Sequence, residues 1–198
     1  MFFRYVIVCL VVLVVTLASS SGFASPLPRM RPYTGIGLVV LSWTDSAISQ
    51  GIPLYADPGL LRVANLNRAG LTGNDWIFGG TETASPLIVS ARKGDWLRIY
   101  YDDAGREAWL NARYDGNFQS WEQFLKLRMG HMLPGLQSHY YRLLEQPGGR
   151  FLMTLGPKRM FKIIKLEDRW SMVLTDQEQI GWLRWRDDDG RLLVGVEQ

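Results

Sequence analysis

The sequence predicts an all-β protein of two small barrels joined by a short helix, behind an N-terminal signal helix. Three observations lead there. A tryptophan-bearing pattern occurs twice: Gly94-Asp95-Trp96-Leu97-Arg98-Ile99 leads to Glu107-Ala108-Trp109-Leu110, and Glu167-Asp168-Arg169-Trp170-Ser171-Met172-Val173 leads to Ile180-Gly181-Trp182-Leu183. The two Trp pairs are thirteen and twelve residues apart, and a matching turn precedes each, Ala56-Asp57-Pro58-Gly59 and Glu145-Gln146-Pro147-Gly148. Self-similarity of this kind means one folding unit used twice. The second observation is that short apolar, β-branched runs alternate with turn residues, the sequence signature of small barrels. The third is an apolar amino terminus ending in small residues.

Residues 1–24 read as a signal peptide. Arg4 supplies the cation, an apolar stretch runs to Leu17, and Gly22 and Ala24 are the small residues a peptidase needs, so cleavage is expected after Ala24. The stretch from Arg4 is short of the roughly 20 apolar residues of a spanning helix, although Phe2 and Phe3 lengthen it enough to make an uncleaved anchor the alternative. Membrane contact is expected only in that case. Residues 25–34, rich in Pro and Arg, read as an extended leader.

Residues 35–116 form the first expected barrel. Ile36 to Leu41 and Ile52 to Tyr55 read as strands, with Pro53 placing the second at an edge or beside a bulge. Leu87 to Val89, Trp96 to Tyr101 and Glu107 to Leu110 follow, the last two joined by a hairpin turn at Asp102-Asp103-Ala104-Gly105. Between Leu66 and Pro86 lies a Gly-rich loop with no counterpart in the second copy. It carries Trp76, Ile77 and Phe78, apolar surface that something must cover.

The connector, 117–136, is expected to be helical from Asn117 to Gly130. Ser120 and Gln123 make a capping box, Gly130 a stop, and Trp121, Phe124, Leu125 and Arg128 share one face. The second barrel, 137–198, opens on Tyr140 to Leu144 and continues through Phe161 to Leu166, Trp170 to Thr175, Gly181 to Trp185 and Leu192 to Val196, with Asp187-Asp188-Asp189-Gly190 as its last hairpin. In the strand from Trp170, apolar Trp170, Met172 and Leu174 alternate with Ser171, Val173 and Thr175, which leaves open which face is core.

These residues carry a resemblance. A Pro-Gly turn after a strand, a Gly-x-Trp strand after a variable loop and a Gly-Trp-Leu closing strand resemble the bacterial SH3-like (SH3b) family of exported small barrels. In the first copy these are Pro58-Gly59, Gly94-Asp95-Trp96 and Ala108-Trp109-Leu110; in the second, Pro147-Gly148, Asp168-Arg169-Trp170 and Gly181-Trp182-Leu183. Ala108 departs from the family's usual Gly, and the second copy is divergent. The resemblance implies a binding or interaction module of the cell envelope that recognises a cell-wall peptide or an envelope protein. It does not imply catalysis.

Composition narrows the chemistry. The chain holds 22 Lys and Arg against 19 Asp and Glu, dispersed among one another, so no nucleic-acid partner is expected. Cys9 is the only cysteine and lies in the signal, leaving the exported part without a thiol nucleophile, zinc–thiolate site or redox pair. His131 and His139 are the only histidines and read as solvated connector residues, a poor basis for a triad or a metal site. The Asp187–Asp189 run reads as a turn because it lacks the spaced oxygen ligands of a calcium loop. No catalytic residue, metal or cofactor is expected. The alternatives are a hydrolase with carboxylates between the two barrels, and a purely structural envelope protein. Binding residues are expected among the polar-tipped and loop-borne aromatics: Trp76, Phe78, Tyr100 and Tyr101.

Overall fold

Residues 30–197 are described by a computed structural model, apart from 69–70, 72–74, 79–83 and 103. The signal peptide, the leader before residue 30 and loop residues Gly70, Gly73, Asn74, Gly79 and Gly80 lie outside the described residues. No helix of the described residues is long and apolar enough to cross a membrane.

The first half contributes β1 (Gly37–Ser42), β2 (Ile52–Tyr55), β3 (Arg62–Leu66), β4 (Ala84–Lys93), β5 (Trp96–Tyr100), β6 (Glu107–Asn111) and β7 (Gly116–Gln119). The second contributes β8 (Met129–Met132), β9 (Arg142–Leu144), β10 (Phe151–Thr154), β11 (Met160–Glu167), β12 (Trp170–Thr175), β13 (Ile180–Arg184) and β14 (Val194–Val196). They form two antiparallel seven-stranded sheets, ordered β3-β2-β6-β5-β4-β1-β7 and β10-β9-β13-β12-β11-β8-β14. Adding seven to each label turns the first order into the second, so the fold is all-β and internally duplicated.

The duplication extends to the backbone. In each Pro-Gly turn the residue that opens it donates to the carbonyl five residues on, Ala56 to Leu61 at 2.8 Å and Glu145 to Arg150 at 2.9 Å. Gly59 and Gly148 occupy the left-handed region that the turn requires, at φ 73° and 68°. Both long central strands carry a register shift at the same place, between Val89 and Ala91 opposite β5 and between Ile163 and Lys165 opposite β12. Each bulge admits one extra residue without moving the paired faces.

Alternation on β5 and β12 is also the same. Leu97 and Ile99 point to the core while Trp96, Arg98 and Tyr100 point outward; Ser171, Val173 and Thr175 point inward while Trp170, Met172 and Leu174 point outward. The small polar residues tolerate the interior because they are bonded there: Ser171 Oγ donates to the Leu183 carbonyl at 3.4 Å, and Thr175 Oγ1 accepts from the Gln179 N–H.

The connector differs from the helix expected from Asn117 to Gly130. Only α4 (Trp121–Leu125) is helical; we number the others α1 (Asp45–Gln50), α2 (Asp75–Phe78) and α3 (Ala112–Asp115). The Ser120–Gln123 capping box forms, and Trp121, Phe124 and Leu125 are buried as the spacing predicts. Strand pairing takes the rest. Residues 116–119 pair with β1, Leu127 turns at φ 67°, and its N–H donates to the Ile163 carbonyl at 2.7 Å, which leads the chain into β8 beside β11.

Two apolar clusters result. Val39, Leu41, Val89, Leu97, Ile99 and Leu110 make the first, on the inner face of the first sheet. The second gathers Phe161, Ile163, Val173 and Leu183 with Leu38 and Ile88, which lie on the opposite face of β1 and β4, and with Phe78, Trp121 and Phe124. Residues 31–34 clip onto the last hairpin: Tyr33 bridges to Arg191, and Trp121 Nε1 donates to the Thr34 carbonyl at 2.7 Å.

Candidate functional site

The four aromatics singled out by sequence do not form one surface. Phe78, on α2, is 1% exposed, and its ring meets Phe124 edge-on at 5.8 Å. Trp76 on the same short helix is half-buried and packs against the same cluster. The apolar part of the Gly-rich loop is thus covered by the chain itself. Tyr101 packs against the first cluster, with the Arg106 guanidinium 5.3 Å from its ring. Tyr100 lies on the outward side of β5, where it is half-buried and also packs against the second cluster.

That face is built by β2, β6 and β5, whose inner side chains make the first cluster. Pairing sets Tyr55 beside Trp109, Trp109 beside Arg98, Tyr100 beside Glu107 and Trp96 beside Asn111. Tyr55 meets the edge of Trp96 with ring centroids 5.2 Å apart and planes at 86°. Arg98 lies over Trp109 at 5.8 Å and reaches Glu107 at 3.6 Å. A Cβ on Gly59 would sit 3.5 Å from the Trp96 ring, so the Pro-Gly turn borders the same aromatic corner. The result is a half-exposed aromatic surface with one guanidinium–carboxylate pair in its middle. Burial, followed by the neighbouring Glu107 carboxylate, pushes the Tyr100 phenol above its ordinary value.

Tyr55, Trp96 and Trp109 were not among the residues expected to bind. The signal was present in the alternation: Leu97 and Ile99 on one face leave Trp96 on the other, and Leu110 does the same for Trp109. In the second sheet Gly181 stands where the first has Ala108. A Cβ there would fall 2.6 Å from Leu143 Cγ, so the tighter copy needs glycine.

Among the described residues, the two acids with a displaced titration, Asp102 and Asp188, are held in the direction of ionisation. The Arg106 backbone N–H is the largest influence keeping Asp102 below the usual carboxylate range, and hydrogen bonds from Arg184 and Arg169 do the same for Asp188. Among the described residues no three His, Cys, Asp or Glu side chains cluster as a metal site.

His131 differs from the solvated residue expected. It lies on β8 between Met160 and Gly195, and its Nδ1 is buried without a hydrogen-bond partner. Burial lowers its pKa, with the Glu197 carboxylate opposing. Stability should therefore be full above about pH 6.5, the ordinary imidazole value, and fall as pH drops below it, because the unfolded chain then binds the proton more readily. Urea titrations at pH 7.5 and 5.5 check this; in His131→Phe the difference between the two should shrink. His139 is exposed, with its ring tilted against Tyr140 at a centroid distance of 4.0 Å.

No protein-family model matches the chain, and no curated protein matches it either.

Proposed function

We propose that the chain is an exported, non-catalytic binding module of the cell envelope, built of two SH3-like barrels, that recognises a cell-wall peptide or an envelope protein. Its contact surface is the outer face of β2, β6 and β5. The observation that carries this reading is the open aromatic corner of Tyr55, Trp96 and Trp109 around the Arg98–Glu107 pair. Large rings with polar neighbours supply contact area at low entropic cost and fix a ligand's orientation. The apolar amino-terminal sequence and the duplicated turn-and-Trp pattern support the envelope setting and the barrel reading.

The test is titration of the exported chain with wall peptide fragments and with envelope extracts, followed by tryptophan fluorescence and co-purification. Trp109→Ala should weaken any binding by about 30-fold or more, the size of a hot-spot truncation of about 2 kcal/mol. Binding that survives Trp109→Ala and Trp96→Ala unchanged removes this face as the site; no binding to any fragment or envelope protein removes the module itself.

A further inference from the structure

The duplicated sheets allow the same outer face to be compared twice within one molecule. Pairing equates Tyr55, Arg98, Tyr100, Glu107 and Arg62 of the first sheet with Leu144, Met172, Leu174, Ile180 and Phe151 of the second. At all five positions a polar or charged group gives way to an apolar one, while the two tryptophans stay in place as Trp170 and Trp182. Phe151 and Ile180 are 51% and 52% exposed, and Trp182, in the centre of the row, is buried at 9% exposure. Contiguous apolar surface on a sheet face marks a contact site.

Charge borders this apolar row on the same face. Lys162 lies beside Leu174, Lys165 beside Met172 and Arg184 beside Trp170, and Arg142 shares the outer side of β9 with Leu144. Glu167 is the carboxylate on these register positions. Lys165 pairs with Glu167, and Arg184 with Asp188 at 2.7 Å. Lys162 and Arg142 make no ion pair among the described residues. Cations therefore flank the apolar row on β9 and on β11.

We infer that the outer face of β10, β9, β13, β12 and β11 is a docking site for one amphipathic segment of a partner protein, apolar on the side facing the sheet and acidic along its flanks. Size and relief select this occupant. Five strands at about 4.8 Å spacing span roughly 19 Å, and three alternating residues about 14 Å. That footprint is well below the roughly 800 Å² per partner of a stable dimer, but it matches a helix about 10 Å wide and roughly 13 residues long. A lipid surface fits less well, because apolar side chains must reach about 5–10 Å into the headgroup layer. Here only Phe151 and Ile180 stand more than half exposed among the apolar residues of the face. Unpaired cations on both borders suit carboxylates along the two flanks of the segment.

The probes are a 14-residue amphipathic Leu/Glu peptide, its Leu/Lys twin and phosphatidylglycerol vesicles, each titrated into the full chain and read by tryptophan fluorescence. Saturable binding of the Leu/Glu peptide is expected, weakening with added salt. Ile180→Glu and Lys162→Glu should each weaken it at least tenfold, while Trp109→Ala on the first sheet leaves it unchanged. Ile180→Glu installs the side chain the first sheet carries at the same place, and Lys162 is exposed, so both variants should keep the native circular dichroism. Failure of the Leu/Glu peptide to saturate, equal binding of the Leu/Lys twin, binding of vesicles alone, or self-association abolished by Ile180→Glu would each overturn the inference. Loss of wall-fragment binding in Trp109→Ala bears only on the first sheet, so the two readings fail separately.

Discussion

Phe78→Ala is expected to lower the stability of the chain by about 3–5 kcal/mol, the cost of removing a fully buried phenyl ring. The ring lies 5.8 Å from Phe124 and 6.1 Å from Trp121, which in turn packs at a tilt against Trp185, centroids 5.4 Å apart. The cavity has little freedom to close. Trp121 is tethered through Nε1 to the Thr34 carbonyl, and Phe124 sits on a helix fixed by its capping box and covered by the Arg128 guanidinium at 4.4 Å. Urea denaturation should show a lower midpoint with an unchanged slope, because the loss is one of packing rather than of compactness. Leu60→Ala, at the exposed tip of the first Pro-Gly turn, should change stability by less than about 0.5 kcal/mol. A cost below 1 kcal/mol for Phe78→Ala would return that ring to the surface and to a contact role.

Phe78 also marks where the sequence was hard to read. A Gly-rich loop bearing Trp76, Ile77 and Phe78 has the composition of a contact surface, and nothing local says that the cluster covering it belongs to the second half of the chain. The duplicated turns and tryptophans were legible because they are local: Pro58-Gly59 and Pro147-Gly148 need left-handed glycine, and Trp96 and Trp170 follow a tight turn. The all-β class followed from them. The connector was not legible in the same way. Ser120 and Gln123 start a helix, as read, but Leu127 and Arg128 exchange hydrogen bonds with Ile163, thirty-five residues and more away, and that pairing ends the helix after one turn. Edge strands β3 and β10 are not legible in the sequence because each is short and mostly solvated, so neither shows a clean period of two. The alternation around Trp170 was undecidable on hydrophobicity alone, since Met172 and Leu174 are more apolar than the Ser171 and Thr175 that face inward. The same inversion is what leaves an apolar outer face on the second sheet.

Asp187→Ala should be the other large loss, about 3 kcal/mol, although the aspartate triplet reads in sequence as an ordinary turn. Asp187 is only 4% exposed. Its Oδ2 accepts from Arg31 Nη2 at 2.9 Å, and its Oδ1 accepts from the backbone N–H groups of Asp189 and Arg191 at 3.1 and 2.8 Å. Removing the carboxylate leaves two backbone donors and a guanidinium short of a partner, and breaking a buried pair from one side costs about 3–5 kcal/mol. The lower end applies because Arg31 is partly solvated and keeps a second bond to the Leu192 carbonyl at 3.1 Å. Arg31→Ala should cost less, about 1.5–2 kcal/mol for a charge-assisted bond, since the carboxylate retains both backbone donors and the hairpin stays formed. The segment around it should nevertheless loosen: Leu192 donates to the Pro32 carbonyl, Arg191 Nη1 to the Arg31 carbonyl, and Thr34 to the Gly190 carbonyl, all against the hairpin that Asp187 closes. Limited proteolysis should therefore clip residues 31–34 faster in Asp187→Ala than in Arg31→Ala, and Asp187→Asn should fall between them because its amide oxygen can still serve the two backbone donors. Equal costs for Arg31→Ala and Asp187→Ala would mean that the ion pair, and not the carboxylate's hold on its own turn, fixes the amino-terminal segment.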